Sequence, residues 1–234
     1  MVLVVNITKE QLRAIKNNNI LGSGNFSKVY DVSGNEIIKL WKQNAIDRSD
    51  NTLFLENMMN VYNKGVDSSI ILFPEKLIYL KDIFVGYMRE KSIGEELNVN
   101  MLLNYEIENV YNLIILLEQE LERIAIDYNI KAGDIKFENM IYNENQNLIN
   151  IIDTDHFTVS NKDKYKIAKY NLNRLKLSLS TQLSRTGCLS NIKDKEARNI
   201  LGNLIANDDL RFSDLIYSIK EKENVRTLNG LKRK

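Results

Sequence analysis

The chain has 234 residues, 44% of them hydrophobic, enough to fill one large domain or two small lobes that share a cleft. Its 32 Lys and Arg against 31 Asp and Glu leave a net charge of +1, so no positive field argues for a nucleic acid or an anionic membrane. The lone Cys188 excludes an internal disulfide and any multi-cysteine metal site, and the lone His156 has neither a GxSxG elbow nor an HExxH motif to serve. Carboxylates, lysines and backbone amides must therefore carry any chemistry. The start MVLVVNITKEQLR lacks a basic segment followed by a long apolar one, and the longest apolar runs, such as NLIILL (Asn112–Leu117), fall far short of the roughly 18 residues that cross a bilayer. A cytoplasmic protein in a reducing interior is the expectation.

Residues 1–19 read as a short helix or lead-in, with Leu12 and Ile15 three apart and Asn17–Asn19 closing it. Asn25–Asp31 alternates, Ser33-Gly34-Asn35 is turn-like, and Glu36–Trp41 is an apolar run carrying Lys39, which predicts a two-stranded hairpin with a glycine turn at its entrance. Leu55, Met58, Met59 and Tyr62 have helical spacing, and Gly65 ends that helix. Strands at Lys76–Leu80 and Ile83–Met88 follow Pro74, the one proline. From Tyr105 to Tyr128 apolar residues keep a period near 3.6, which predicts a central buried helix. A loop (Lys131–Glu138), a strand (Asn139–Tyr142), a turn (Asn143–Asn147) and a strand (Leu148–Ile152) come next, then helices at Ala168–Leu179, Asp194–Ala206 and Ser213–Glu221. Cys188 reads as an inert thiol, Trp41 as a packed strand residue, and Arg226–Lys234 as a frayed basic end. The order of elements predicts an α+β chain in two lobes, 1–90 rich in β-strand with one main helix, and 91–234 helical around a small hairpin.

Four segments carry chemistry. Gly22-Ser23-Gly24-Asn25-Phe26-Ser27-Lys28-Val29 is a glycine-rich turn whose glycines would permit positive φ and bring backbone amides to phosphate oxygens; alone it is equally an ordinary hairpin turn. Lys39 lies on the next strand, and Glu56 on the helix after it could hold that lysine as a fixed cation. Asp134-Ile135-Lys136-Phe137-Glu138-Asn139 gives D-x-K-x-x-N, and LINIID (Leu148–Asp153) ends a strand with a further acid. An Asp at an acceptor hydroxyl, a Lys at the phosphoryl group, and an Asn and an Asp on Mg²⁺ form a phosphoryl-transfer set that needs no histidine.

Between Leu21 and about Asp155 these segments resemble the protein-kinase-like fold family: DIKFEN (Asp134–Asn139) is similar to the DLKPEN of a catalytic loop, IIDTD (Ile151–Asp155) to the DFG segment, and GSGNFSKV to the glycine-rich loop. The resemblance implies a reduced, atypical bacterial Ser/Thr kinase that uses ATP and Mg²⁺. It further implies that Gly22, Ser23, Gly24, Asn25, Phe26, Ser27 and Val29 cover the nucleotide, and that Lys39, oriented by Glu56, meets the α- and β-phosphates. By the same likeness Met88 and Glu90 belong to a hinge, Met88–Lys91, against which adenine lies. Asp134 would be the base, Lys136 would neutralise the γ-phosphate, and Asn139 and Asp153 would hold magnesium.

Departures are as informative. Ser27 replaces the third glycine, Ile37 stands where the family's small alanine floors the adenine pocket, Ala132-Gly133 replaces His-Arg, and Asp155 replaces the glycine of DFG. With Pro74 the one proline, there is no Ala-Pro-Glu segment. The missing arginine argues against activation by a phosphorylated loop. A protein acceptor is the first expectation, a small-molecule acceptor as in aminoglycoside or choline kinases the second, and a pseudokinase binding module the third. Reduced kinases of similar size include bacterial effectors that act inside host cells.

Overall fold

The computed structural model describes residues 3–42 and 51–233, with backbone alone at 51–53 and 233. It is a mixed α+β structure. Six strands form one sheet in the order β1-β5-β6-β4-β3-β2. These are β1 (Leu3–Asn6), β2 (Ile20–Ser23), β3 (Ser27–Ser33), β4 (Glu36–Trp41), β5 (Lys76–Leu80) and β6 (Ile83–Glu90). All neighbours are antiparallel except β1, which runs parallel to β5. The sequence gives no advance sign of β1: its exposed Leu3 and Val4 show the edge strand that LVV forms once β5 offers a partner. Met1 and Val2 of the N-terminal lead-in lie outside the described residues.

The turn at Ser33–Asn35 forms as read, with Gly34 at positive φ. β4 is central and buried on both faces, so its side chains alternate between two different cores. Ile38 and Leu40 pack with Ile15 of helix α1 (Lys9–Lys16), which Thr8 and Gln11 cap reciprocally. On the other face Trp41 packs with Met58 of helix α2 (Asn51–Tyr62) and with Leu77, Phe84 and Tyr87.

Beyond the sheet lies a larger core built around helix α4 (Ile107–Tyr128), which follows the short α3 (Val99–Asn104). Val110, Leu113, Ile114, Leu117, Leu121 and Ile124 are all buried along it, as the period predicts. Asn129 ends α4 in the left-handed conformation at φ 56, one of the few non-glycine residues that tolerate it. The chain then pairs β8 (Ile130–Lys131) with β11 (Thr158–Val159), and between them sets β9 (Met140–Asn143) against β10 (Leu148–Ile151) and β7 (Glu95–Glu96). Helices α5 (Lys164–Arg185), α6 (Lys195–Asn203) and α7 (Phe212–Lys222) complete the core.

α5 runs well beyond the expected Ala168–Leu179 because Asp163 caps its start by accepting from the Tyr165 and Lys166 amides. The tail is a further correction: Leu228–Arg233 forms a 3-10 turn with Leu228 and Leu231 fully buried, so the end is anchored by apolar packing; Lys234 lies outside the described residues. Cys188 is buried, and burial raises its thiol pKa, which favours the protonated, unreactive form. Buried charges in this half serve the fold: Glu118 accepts from the Phe212 and Ser213 amides at 2.9 and 3.2 Å, at the positive end of α7.

Gly86 on β6 is a close-approach glycine. A Cβ there would stand 2.1 Å from the Lys39 carbonyl oxygen on β4, a backbone atom that cannot swing away. Gly86→Ala is expected to lower the unfolding free energy by about 2 kcal/mol or more, read as a reduced midpoint in urea; an unchanged midpoint would contradict this packing.

Candidate active site

The sheet register builds the first half of the site. Gly22 pairs with Val29, Val29 with Lys39, and Lys39 with Tyr87, so one row of side chains crosses four strands on a single face. Ile37 and Arg89 form the next pair on that face. The glycine-rich turn sits above the row, with Ser23, Gly24, Asn25 and Phe26 exposed at its tip. The Gly24 amide donates to the Ser27 carbonyl at 3.0 Å, and Lys42 donates from its ammonium to the Gly24 carbonyl at 2.6 Å. Neither Gly22 nor Gly24 has the positive φ that the sequence suggests. Nothing stands within 4 Å of where either Cβ would be. What these glycines supply is therefore open space where a side chain would otherwise stand.

The second half comes from the segment after β10. Lys39 donates to Asp153 Oδ1 at 3.0 Å and to Asp155 Oδ2, bridging 114 and 116 residues of sequence. Its side chain is 10% exposed, against 33% for Asp153 and 7% for Asp155. Its ammonium also lies over the rings of Trp41 and Tyr87, at 5.1 and 5.9 Å. Burial opposes the charge of Lys39, but the Tyr87 phenol, Asp155 and Asp153 outweigh it and hold the pKa above its usual range. For Asp153 burial is likewise the largest influence, yet Lys39 reverses it and lowers the pKa. Asp155 goes the other way: burial raises its pKa to about 6 in spite of Lys39, with the Asp153 charge adding to the rise.

This arrangement corrects the expected pairing of Lys39 with Glu56. Glu56 is exposed on α2, and among the described residues the ion pairs of Lys39 go to Asp153 and Asp155. A buried ammonium is best balanced by carboxylates that share its burial, which Asp155 does and Glu56 does not.

The hinge expectation is corrected too. β6 continues through Glu90. The Met88 carbonyl accepts from the Glu75 amide, and the Glu90 amide donates to Glu75 Oε1, both at 2.9 Å. The Met88 side chain packs into the cluster on the face away from Lys39. Met88 to Glu90 are thus part of a strand, with Glu75 bonded to the Met88 carbonyl and the Glu90 amide, and do not form a free connector. Arg89, read from the sequence only as part of that hinge, is the residue that shares the face of Lys39. It is 5% exposed, donates from Nη1 to the Glu90 carbonyl at 2.6 Å, and leaves a buried Nε without a partner.

The D-x-K-x-x-N segment lies next to the Asp153 loop. The Ile152 amide donates to the Asn139 carbonyl at 2.9 Å, and Asn139 Nδ2 reaches the Asp134 carbonyl at 3.3 Å. Lys136 donates to Asp134 Oδ2 at 2.8 Å, with side chains 56% and 25% exposed, so both remain open to a substrate. Gly133 explains how the two loops come so close: a Cβ there would stand 2.1 Å from the His156 carbonyl oxygen. His156 meets the Phe54 ring edge-on at 6.1 Å. Asn171 on α5, fully buried, fixes the start of the loop. Its Oδ1 accepts from the Ala132 amide at 2.8 Å, and its Nδ2 donates to the Leu121 and Ile130 carbonyls. No sequence signal marked Asn171, because a buried asparagine among many asparagines is visible only once its three partners converge.

A divalent cation is the group that the kinase resemblance implies. The donors present are hard oxygens, Asn139 and Asp153, and Asp155 Oδ1 is buried with no hydrogen-bond partner, which fits an oxygen-seeking cation completed by waters and phosphate. Among the described residues there is no group of three or more His, Cys, Asp or Glu that could hold a metal unaided. No protein-family model matches the chain, and no curated protein matches it closely enough to count as a relative.

The Asp155 geometry yields a pH test in metal-free protein. Its folded pKa, about 6, lies above the unfolded 3.8, so between those values the native state holds a proton that the unfolded chain has lost. Stability from this group is then present at low pH and lost as pH rises through the window. Near pH 5 the unfolding free energy of the wild type should fall more steeply with pH than that of Asp155→Asn, by up to about 1.4 kcal/mol per pH unit. Parallel profiles would contradict the assignment.

Proposed function

We propose that the protein is an ATP- and Mg²⁺-dependent phosphotransferase of the protein-kinase-like kind, acting on a protein Ser or Thr hydroxyl. One observation carries this reading: Lys39 on the sheet is held by Asp153, across 114 residues of sequence, on a loop bonded to the D-x-K-x-x-N segment. The sheet order and the glycine-rich turn over Lys39 support it. In this account the open turn and Lys39 receive nucleotide phosphates, which takes Lys39 partly away from its carboxylates. Asp134 accepts the proton of the acceptor hydroxyl as that oxygen attacks the γ-phosphorus and the bond to the β,γ-bridging oxygen breaks, releasing ADP. Lys136, already beside Asp134, balances charge on the transferred group. Asn139 and Asp153 would hold magnesium, which supplies charge neutralisation on the phosphates when bound.

A small-molecule acceptor is the second reading, and Asp155 is the observation that favours it. It places a second carboxylate beside Lys39 where protein kinases keep a glycine, and its Oδ1 has no partner.

The test is transfer of labelled γ-phosphate from ATP with Mg²⁺, read as autophosphorylation and on a generic protein acceptor. Asp134→Ala should slow transfer by at least about 100-fold while nucleotide binding persists. Full transfer by that variant would remove Asp134 from the mechanism, and label passing only to small hydroxylated acceptors would select the second reading.

A further inference from the structure

The sheet face opposite Lys39 carries a feature that phosphotransfer does not use. α1 has only eight residues and ends at Lys16, so it covers part of this face and leaves the rest open. The remainder is a pocket of about 330 Å³ between α1 and strands β3 to β6. Its floor is apolar, formed by residues such as Leu40, Leu80 and Val85, with Leu12 of α1 as a wall. Three lysines, Lys16, Lys28 and Lys42, stand around it, and none of the lining residues is acidic. Lys16 and Lys28 make no ion pair among the described residues. Lys16, Lys28 and Lys42 thus bring positive charge to this pocket, and among the described residues that line it there is no carboxylate to balance it.

We propose that this pocket binds a small amphiphilic anion, a phosphate monoester or carboxylate carried on a short apolar body. The charge complements the lysines, and the body covers the apolar floor while the lysine stems extend along it. The volume lies at the small end of the roughly 300–1,000 Å³ typical of ligand sites, which selects a metabolite-sized molecule over a peptide or protein. Lys42 joins the pocket to the glycine-rich turn, because this lining residue also holds the Gly24 carbonyl with its ammonium. The proposal does not rest on phosphotransfer, and its test needs no activity.

Hexyl phosphate is the probe, with inorganic phosphate and hexanol as its two halves, titrated into the whole protein and followed by NMR of the Leu12, Leu80 and Val85 methyl groups. Hexyl phosphate should shift these signals and bind more tightly than either half. The double variant Lys16→Gln/Lys28→Gln, which removes two of the three positive charges at the pocket, should weaken it by about tenfold or more. Inorganic phosphate binding as tightly as hexyl phosphate, equal affinity in the double variant, or unmoved methyl signals would each overturn the proposal. So would sedimentation with phosphatidylserine vesicles in a protein that does not bind soluble hexyl phosphate, since the lysines would then serve a membrane surface.

Discussion

A lysine ammonium inside a protein must be compensated, and the way Lys39 is compensated shapes the whole structure. Its backbone belongs to the central strand of the sheet, whereas its carboxylates come from a loop more than 110 residues later, so the ion triad ties the sheet to the chain that leaves β10. Breaking a buried pair by removing one partner costs about 3–5 kcal/mol, because the other charge is left without water or a counter-ion. The same triad keeps a cation poised under an open glycine turn. A polyanion reaching that cation would trade one set of negative oxygens for another, with less desolvation than a lysine drawn from bulk water would suffer.

Two glycines allow the charged groups to meet. Gly86 lets β6 approach β4 beside the Lys39 carbonyl, and Gly133 lets the D-x-K-x-x-N loop lie on the backbone of His156. In each case the obstacle to a larger residue is a carbonyl oxygen, which packing cannot move aside. Asn171 completes this framework from α5 by satisfying one amide and two carbonyls at once. A buried polar residue with every group engaged fixes position more strictly than apolar packing can. The exposed pair Asp134 and Lys136 is thus mounted on a rigid base while its own side chains stay accessible.

Much of this was legible in the sequence, and the reasons differ by element. The central helix announced itself through an unbroken 3.6 period, and the β3–β4 hairpin through its turn residues. Lys39, Asp134, Asn139 and Asp153 stood out by spacing. The partner of Lys39 was not legible, because Glu56 and Asp155 are both carboxylates at reasonable distances along the chain, and only burial separates them. The positive φ expected of Gly22 and Gly24 is absent; openness and positive φ leave the same mark in a sequence. β1 and the anchored tail were hidden because each depends on a distant partner, β5 for the strand and the apolar core for Leu228 and Leu231. Strand ends such as Glu90 depend on distant partners, the paired Glu36 and the Glu75 carboxylate, which no local pattern encodes.

The central claim is that the Lys39 triad is a receptor for nucleotide phosphates. Calorimetric titration of the protein with ATP, with and without Mg²⁺, tests it most directly when wild type is compared with Lys39→Met. The account predicts binding by the wild type that Mg²⁺ strengthens and that the methionine variant loses while remaining folded. Absence of ATP binding by the wild type, or equal binding by the variant, would contradict it.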